Sequence, residues 1–190
     1  MICLGCHSFT STSLCMVCRT SIRPATERLL PGGVRVMAAF QHGGAAQTLI
    51  HHLKYRGVTG YAGIVSDLLA PHVPRFPLVP VPRALSRRVK YGVDPAQVIA
   101  EALARRLGVP VVHVLAPPIH APRRAGRDHS RPVRPYRMRS TLRYPVVVVD
   151  DVVTTGATVS AAVDAIGLDW VRAIAAANVV PEVSNVTQSD

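Results

Sequence analysis

A chain of 190 residues with 48% hydrophobic and 17% charged residues can fill one α/β core plus a small appendage, is too short for two ordinary domains, and does not have a disordered composition. Twenty-two Lys+Arg against eleven Asp+Glu give a formal net charge of +11, so the surface should attract polyanions such as diphosphates, nucleotides or nucleic acid. A membrane span is excluded, since even the alanine-rich stretch from Val171 to Val180 is broken by Arg172; Cys3 and Cys6 stand where a signal peptide would begin, so secretion is disfavoured and the cytoplasm is the expected location.

All four cysteines lie in the first 18 residues, as Cys3-x2-Cys6-x8-Cys15-x2-Cys18. Two Cys-x-x-Cys pairs can turn four thiolates toward one tetrahedral Zn²⁺, and a segment this short and poor in apolar residues needs such a staple to hold a shape. The alternatives are two disulfides, which a reducing compartment disfavours, or unpaired thiols in a frayed terminus. Residues 1–20 are therefore expected to form a zinc knuckle, with Cys3, Cys6, Cys15 and Cys18 as ligands and His7 as a solvated neighbour.

Residues 21–75 should supply a linker, a strand and helices flanking the core. Ser21 to Gly33, with Pro24, Pro31 and a Gly-Gly pair, reads as linker and turn. Val34, Val36, Ala38 and Phe40 alternate as in a strand that stops at Gly43-Gly44. Ala45 to Arg56 reads as a helix with Leu49, Ile50 and Leu53 on one face and Gly57 as its stop, and Tyr61 to Leu69 as a second helix ending at Pro71.

The core proper is expected over 76–180. Phe76 to Pro82 reads as a buried strand that must lie at an edge or end there, because Pro80 and Pro82 cannot donate to a ladder. Asp94 as N-cap, Pro95 at the first position and Gln97 completing a capping box open a helix with Val98, Ile99, Ala102, Leu103 and Leu107 as its stripe, closed by Gly108. Val109 to Leu115 reads as a second strand. Pro145 to Val149 is a third, with the consecutive valines of a parallel sheet covered on both faces. A helix from Ala157 to Ile166 and a strand from Trp170 to Val180 complete an α/β alternation that predicts a doubly wound, mostly parallel sheet. Between the second and third strands lies a long loop, 116–144, in which Arg123, Arg124, Arg127, Arg131, Arg134, Arg137, Arg139 and Arg143 face the single acid Asp128; residues 181–190 form a polar tail.

The chemistry concentrates at Val146 to Thr158. A buried strand ends in Asp150-Asp151, and a Thr154-Thr155-Gly156 turn opens a helix at Ala157-Thr158. Ligands of open α/β sheets bind beyond the carboxyl ends of strands, where a helix start offers N–H groups and a positive dipole to phosphate. The threonines add hydroxyls and Gly156 lets the backbone approach an anion. The aspartates, facing ligand and not core, are suited to two sugar hydroxyls or to Mg²⁺ through water.

These thirteen residues are similar to the phosphoribosyl-diphosphate signature of type I phosphoribosyltransferases. Together with the cysteine knuckle, Leu49-Ile50-His51-His52-Leu53-Lys54-Tyr55-Arg56-Gly57 and Val79-Pro80-Val81-Pro82, in that order, the chain resembles the ComF-like competence family from Cys3 to about Val180. The resemblance implies the type I phosphoribosyltransferase fold and phosphoribosyl diphosphate bound with Mg²⁺ at Asp150, Asp151, Thr154, Thr155, Gly156, Ala157 and Thr158. It also implies a diphosphate loop beginning at Arg83, with Lys54 beside the pocket. As partners it implies single-stranded DNA in uptake or recombination and a DNA-processing helicase. The chain departs from the family where Lys90-Tyr91-Gly92-Val93-Asp94-Pro95-Ala96-Gln97 replaces an Arg-Gly-Phe-Asn-Gln-like segment. No general base stands out: Thr154 occupies the place of the acidic base of purine-salvage relatives, which leaves His113, His120 and His129. Two functions of different class follow. One is transfer of ribose 5-phosphate to an acceptor, with the arginine loop as a lid. The other is non-catalytic handling of single-stranded DNA, with Arg123, Arg124, Arg127, Arg131, Arg134 and Arg137 on its phosphates.

Overall fold

The computed structural model describes residues 1–23, 27–30, 33–41, 43–55, 60–119 and 136–178. The cysteine segment runs into a short helix, α1 (Met16–Ser21), opened by Cys15, whose Sγ accepts the N–H of Cys18. Within the stretch read as linker, β1 (Arg28–Leu29) pairs antiparallel with β2 (Arg35–Gln41). Two helices follow. In α2 (Gly44–Tyr55) the buried residues Ala45, Ala46, Leu49, Ile50 and Leu53 recur at helical spacing. In α3 (Gly60–Leu69) the end is softened into a 3-10 turn, Ala70–His72, that contains Pro71. The expected stop of α2 at Gly57 lies outside the described residues.

The sheet has the order β1-β2-β7-β6-β3, and β2, β7 (Val171–Asn178), β6 (Val146–Val153) and β3 (Leu78–Pro80) run parallel. The valine run occupies the middle. Val147 and Val149 pack with α2, α3 and α5 (Pro95–Leu107) on one face, while Val146 and Val148 pack on the other with α6 (Ala157–Ile166). Coverage of both faces is what the unbroken apolar run demands.

Three expectations need correction. The segment from Val109 to Leu115 is not a full strand: it meets β3 only through a parallel bridge, Leu78 with Val111. Val79 is paired to β6 and Val81 donates to the Val149 carbonyl, so the backbone groups of Leu78 and Pro80 point away from β6. Leu78 bonds Pro110 O and Val112 N, but Pro80 has no N–H to extend that ladder. Only Leu115–Ala116 (β4) is extended further on, pairing antiparallel with Arg137–Met138 (β5) at the base of the arginine-rich segment. Second, the loop expected to begin at Arg83 gives way after two residues to a helix, α4 (Leu85–Tyr91), closed by Gly92 at φ 71°. It buries none of its own residues, so it carries no apolar stripe to read. Third, Asp94 precedes α5 as expected but makes no side-chain capping bond, and Gln97 donates to Glu101 at 2.9 Å instead of completing a box. The last strand begins at Val171, after a 3-10 turn at Leu168–Trp170, and α6 spans the residues expected.

Candidate ligand-binding site and metal centre

The four cysteines are free thiols whose sulfurs all lie within 4.8 Å of one another. Cys6 Sγ and Cys15 Sγ are 3.7 Å apart, close to the ~3.8 Å edge of a tetrahedron built on ~2.3 Å metal–sulfur bonds. Backbone N–H groups of Gly5 and Cys15 donate to Cys3 Sγ at 3.4 and 3.2 Å, and that of Cys18 to Cys15 Sγ at 3.4 Å. Burial raises the Cys3 thiol, but N–H donors from Cys15, Cys6 and Gly5 outweigh it and bring it down to about 6. Burial pushes Cys18 up, helped by its bonds to Cys6, Cys3 and Cys15. Four neighbouring sulfurs cannot all ionise without a cation to share, and the set can hold one metal ion. A Cβ on Gly5 would fall 2.8 Å from Cys18 Sγ and 3.1 Å from Ala45 Cβ, so that glycine lets the knuckle seat on α2. His7 is not part of that close group: it takes the turn at φ 63° and sets its ring 5.3 Å from His52.

The aspartate pair sits at the C-terminal end of β6, on a bulge. Val149 pairs with Ala175 but Val152 with Ala177, so β6 carries one residue more than β7 between them. The bulge frees the Asp151 N–H from the ladder, and Asp150 Oδ1 accepts it at 2.8 Å. Asp150 is only 8% exposed, which corrects the expectation that both carboxylates face ligand. Burial, then the charge of Asp151, holds its carboxyl up at about 8. Asp151 is the accessible member and meets Lys54 Nζ at 2.9 Å. Lys54 reaches it from the end of α2, more than ninety residues earlier in the chain.

Beyond the pair, Thr154 and Thr155 are exposed and Gly156 turns at φ 84° into α6, whose first residues Ala157 and Thr158 are also exposed. Thr155 Oγ1 accepts the Ala157 N–H at 3.4 Å. The first N–H groups of a helix have no partner within it, so this end is receptive to an anion. A Cβ on Gly156 would lie 2.6 and 2.7 Å from the Leu30 methyls, and Arg28 Nη1 donates to Thr154 O. The β1–β2 turn thus braces the threonine loop. Nothing in the sequence around Arg28 or Leu30 signals that role.

Arg83 is placed beside these groups with its side chain turned inward. Its Nη1 donates to the carbonyls of Lys54 and Val93, both at 3.0 Å, and its guanidinium lies 4.8 Å from the Tyr91 ring centroid. Its N–H donates to Asp94 Oδ2 at 2.8 Å. Tyr136 is buried nearby, its hydroxyl held high by burial and by the charges of Asp150, Asp94 and Asp151. His113 is exposed on the outer segment, and His120 and His129 lie outside the described residues. So do Arg123, Arg124, Arg127, Arg131 and Arg134; Arg137, Arg139 and Arg143 are exposed. A cleft of about 480 Å³ between α3 and α5 is lined by Gly60, Gly63, Glu101 and Arg105 and by neither aspartate. Among the described residues no helix is long and apolar enough to cross a membrane.

No family model matches the chain, and no curated protein matches it. The geometry itself defines a mixed α/β protein with a mostly parallel sheet and a four-cysteine centre able to hold a metal ion.

Proposed function

We propose that the chain is a ComF-like protein of type I phosphoribosyltransferase fold that binds phosphoribosyl diphosphate and passes its ribose 5-phosphate to an acceptor. One observation carries the reading: a carboxylate pair on the central parallel strand is followed by two exposed threonines and the Gly156 helix start, with the Lys54 ammonium delivered to Asp151. The 5-phosphate is assigned to the threonine loop and the start of α6, and the sugar hydroxyls to Asp151 backed by Asp150. Transfer breaks the bond from the anomeric carbon to diphosphate and forms one to the acceptor, which gives up a proton.

Among the described residues the cysteine set is the only close group of three or more metal-ligating side chains. The aspartates therefore build no cation cage of their own, and Mg²⁺ fits as a partner of the diphosphate, met by Asp151 through water. When bound, Mg²⁺ neutralises the leaving group. The centre at Cys3, Cys6, Cys15 and Cys18 is assigned to structural Zn²⁺.

Calorimetry with phosphoribosyl diphosphate and Mg²⁺ tests the site. Binding by the wild type and its loss in Asp151→Asn are expected, whereas wild-type affinity in the variant would overturn it. A second reading, non-catalytic handling of single-stranded DNA, is favoured by one feature: α4 leaves Arg87, Arg88 and Lys90 all exposed. It predicts DNA binding that weakens with salt and does not need Asp151.

A further inference from the structure

An arginine at the mouth of an anion site is ordinarily a ligand of the anion, with its N–H groups directed outward. Arg83 is not arranged that way. Both hydrogens of its Nη1 go to backbone carbonyls, those of Lys54 and Val93, and its plane lies over Tyr91, which in turn meets Tyr55 at 5.2 Å. The carbonyl of Lys54 belongs to the last described turn of α2, where a cation is favoured. Arg83 thus caps α2 at the residue whose side chain reaches Asp151.

Asp94 holds Arg83 from the other side. Its carboxylate is buried at 7% exposure and accepts the Arg83 N–H at 2.8 Å through Oδ2. Its Oδ1 has no hydrogen-bond partner. Burying a half-satisfied carboxylate costs stability. Lys54 is also unusual in kind. The chain has only two lysines, Lys54 and Lys90, among its 22 basic residues, and Lys54 is the one drawn inward, 22% exposed against the Asp151 carboxylate.

We propose that Arg83 and Asp94 are positioning residues that hold the Lys54 ammonium on Asp151, with Arg83 acting through the α2 backbone and not as a ligand of the incoming anion. The latch ties the end of α2, the loop after β3, the start of α5 and the β6 bulge into one rigid wall. Its bearing on phosphoribosyl diphosphate rests on the function proposed above, while the latch itself is testable without ligand.

The experiment is amine acetylation of the full-length protein, read by mass spectrometry, with exposed Lys90 as internal reference. Ion pairing protects an amine, so Lys54 should react about tenfold more slowly than Lys90 in the wild type. Arg83→Gln and Asp94→Ala should each erase most of that difference, while Asp94→Asn, which keeps an oxygen for the Arg83 N–H, should preserve it. Unchanged protection of Lys54 in folded Arg83→Gln overturns the proposal. Should Arg83→Gln not fold, the contrast between Asp94→Ala and Asp94→Asn decides: equal labelling in both overturns it. A second arm titrates phosphoribosyl diphosphate and Mg²⁺ into Lys54→Ala, Arg83→Gln and the double variant. A double variant no weaker than Lys54→Ala supports positioning, and a further loss of about tenfold makes Arg83 an anion ligand and overturns it. If the wild type does not bind, the functional reading fails and the labelling arm alone judges the latch.

Discussion

Asp150 and Gly156 show how much rests on single residues at the end of β6. The Asp150 carboxyl titrates near 3.8 when unfolded and at about 8 in the fold, raised first by burial and then by Asp151. Between those values the folded state keeps a proton that the unfolded chain has released. Stability therefore falls as pH rises from about 4 to about 8, by at most about 1.4 kcal/mol per unit. Asp150→Asn removes the titration but keeps an oxygen for the Asp151 N–H. Denaturant midpoints at pH 5 and pH 8 should separate more in the wild type than in the variant; parallel profiles would show that Asp150 is not held protonated. Gly156 sits at φ 84° with the buried Leu30 methyls where a side chain would go. Gly156→Ala should cost about 1–2 kcal/mol from the left-handed backbone alone, plus the cost of displacing Leu30, measurable by urea unfolding. A loss below half a kcal/mol would mean that β1 does not brace the loop.

At the scale of elements, the knuckle is expected to depend on a metal held by its four cysteines, and the sheet is not. Cys3, Cys18 and Ala45 form a small apolar cluster and only Leu4, Leu14 and Ile22 of this end reach the main core, whereas the sheet is held by two larger clusters rich in Val, Leu and Ile side chains. Purified protein should carry close to one Zn²⁺ per chain, and Cys15→Ser should lose it by metal analysis. Chelation should then raise amide exchange across the first 21 residues and leave β6 and α5 protected. Exchange that rises throughout the chain would show that the knuckle holds up the α/β core. Edges follow a similar local logic: Pro80 stops the ladder on the outer side of β3 after a single bridge, so the Val109 to Leu115 segment never becomes a full strand.

For the whole molecule, the net charge of +11 favours polyanions, and its placement decides which. If single-stranded DNA binds, log affinity should fall with log salt by about 0.7 per neutralised phosphate, and replacing Arg131, Arg134 and Arg137 by alanine should flatten that slope by about two units. Loss of phosphoribosyl diphosphate binding in the same variant, with the slope unchanged, would make the segment a lid over the ligand. Loss of neither would leave both roles without support.

Local physics made much of this protein legible in its sequence. The valine run, the Leu49-Ile50-Leu53 face, the Pro95 start and Gly108 stop of α5, and the bounds of α6 follow from periodicity and from proline and glycine at helix ends, which act over a few residues. The cysteine spacing likewise announced a four-sulfur cluster, because two Cys-x-x-Cys turns have few other ways to close. What the sequence could not show is set by packing between distant segments. The bulge that buries Asp150 depends on register against β7, and the seat of Lys54 on Asp151 depends on α2 lying across the sheet end. The inward turn of Arg83 depends on where α2 and α5 leave open carbonyls and a carboxylate. These are decisions of tertiary structure because each contact joins segments tens of residues apart, and no local pattern encodes which backbone group will need a partner once the core has closed.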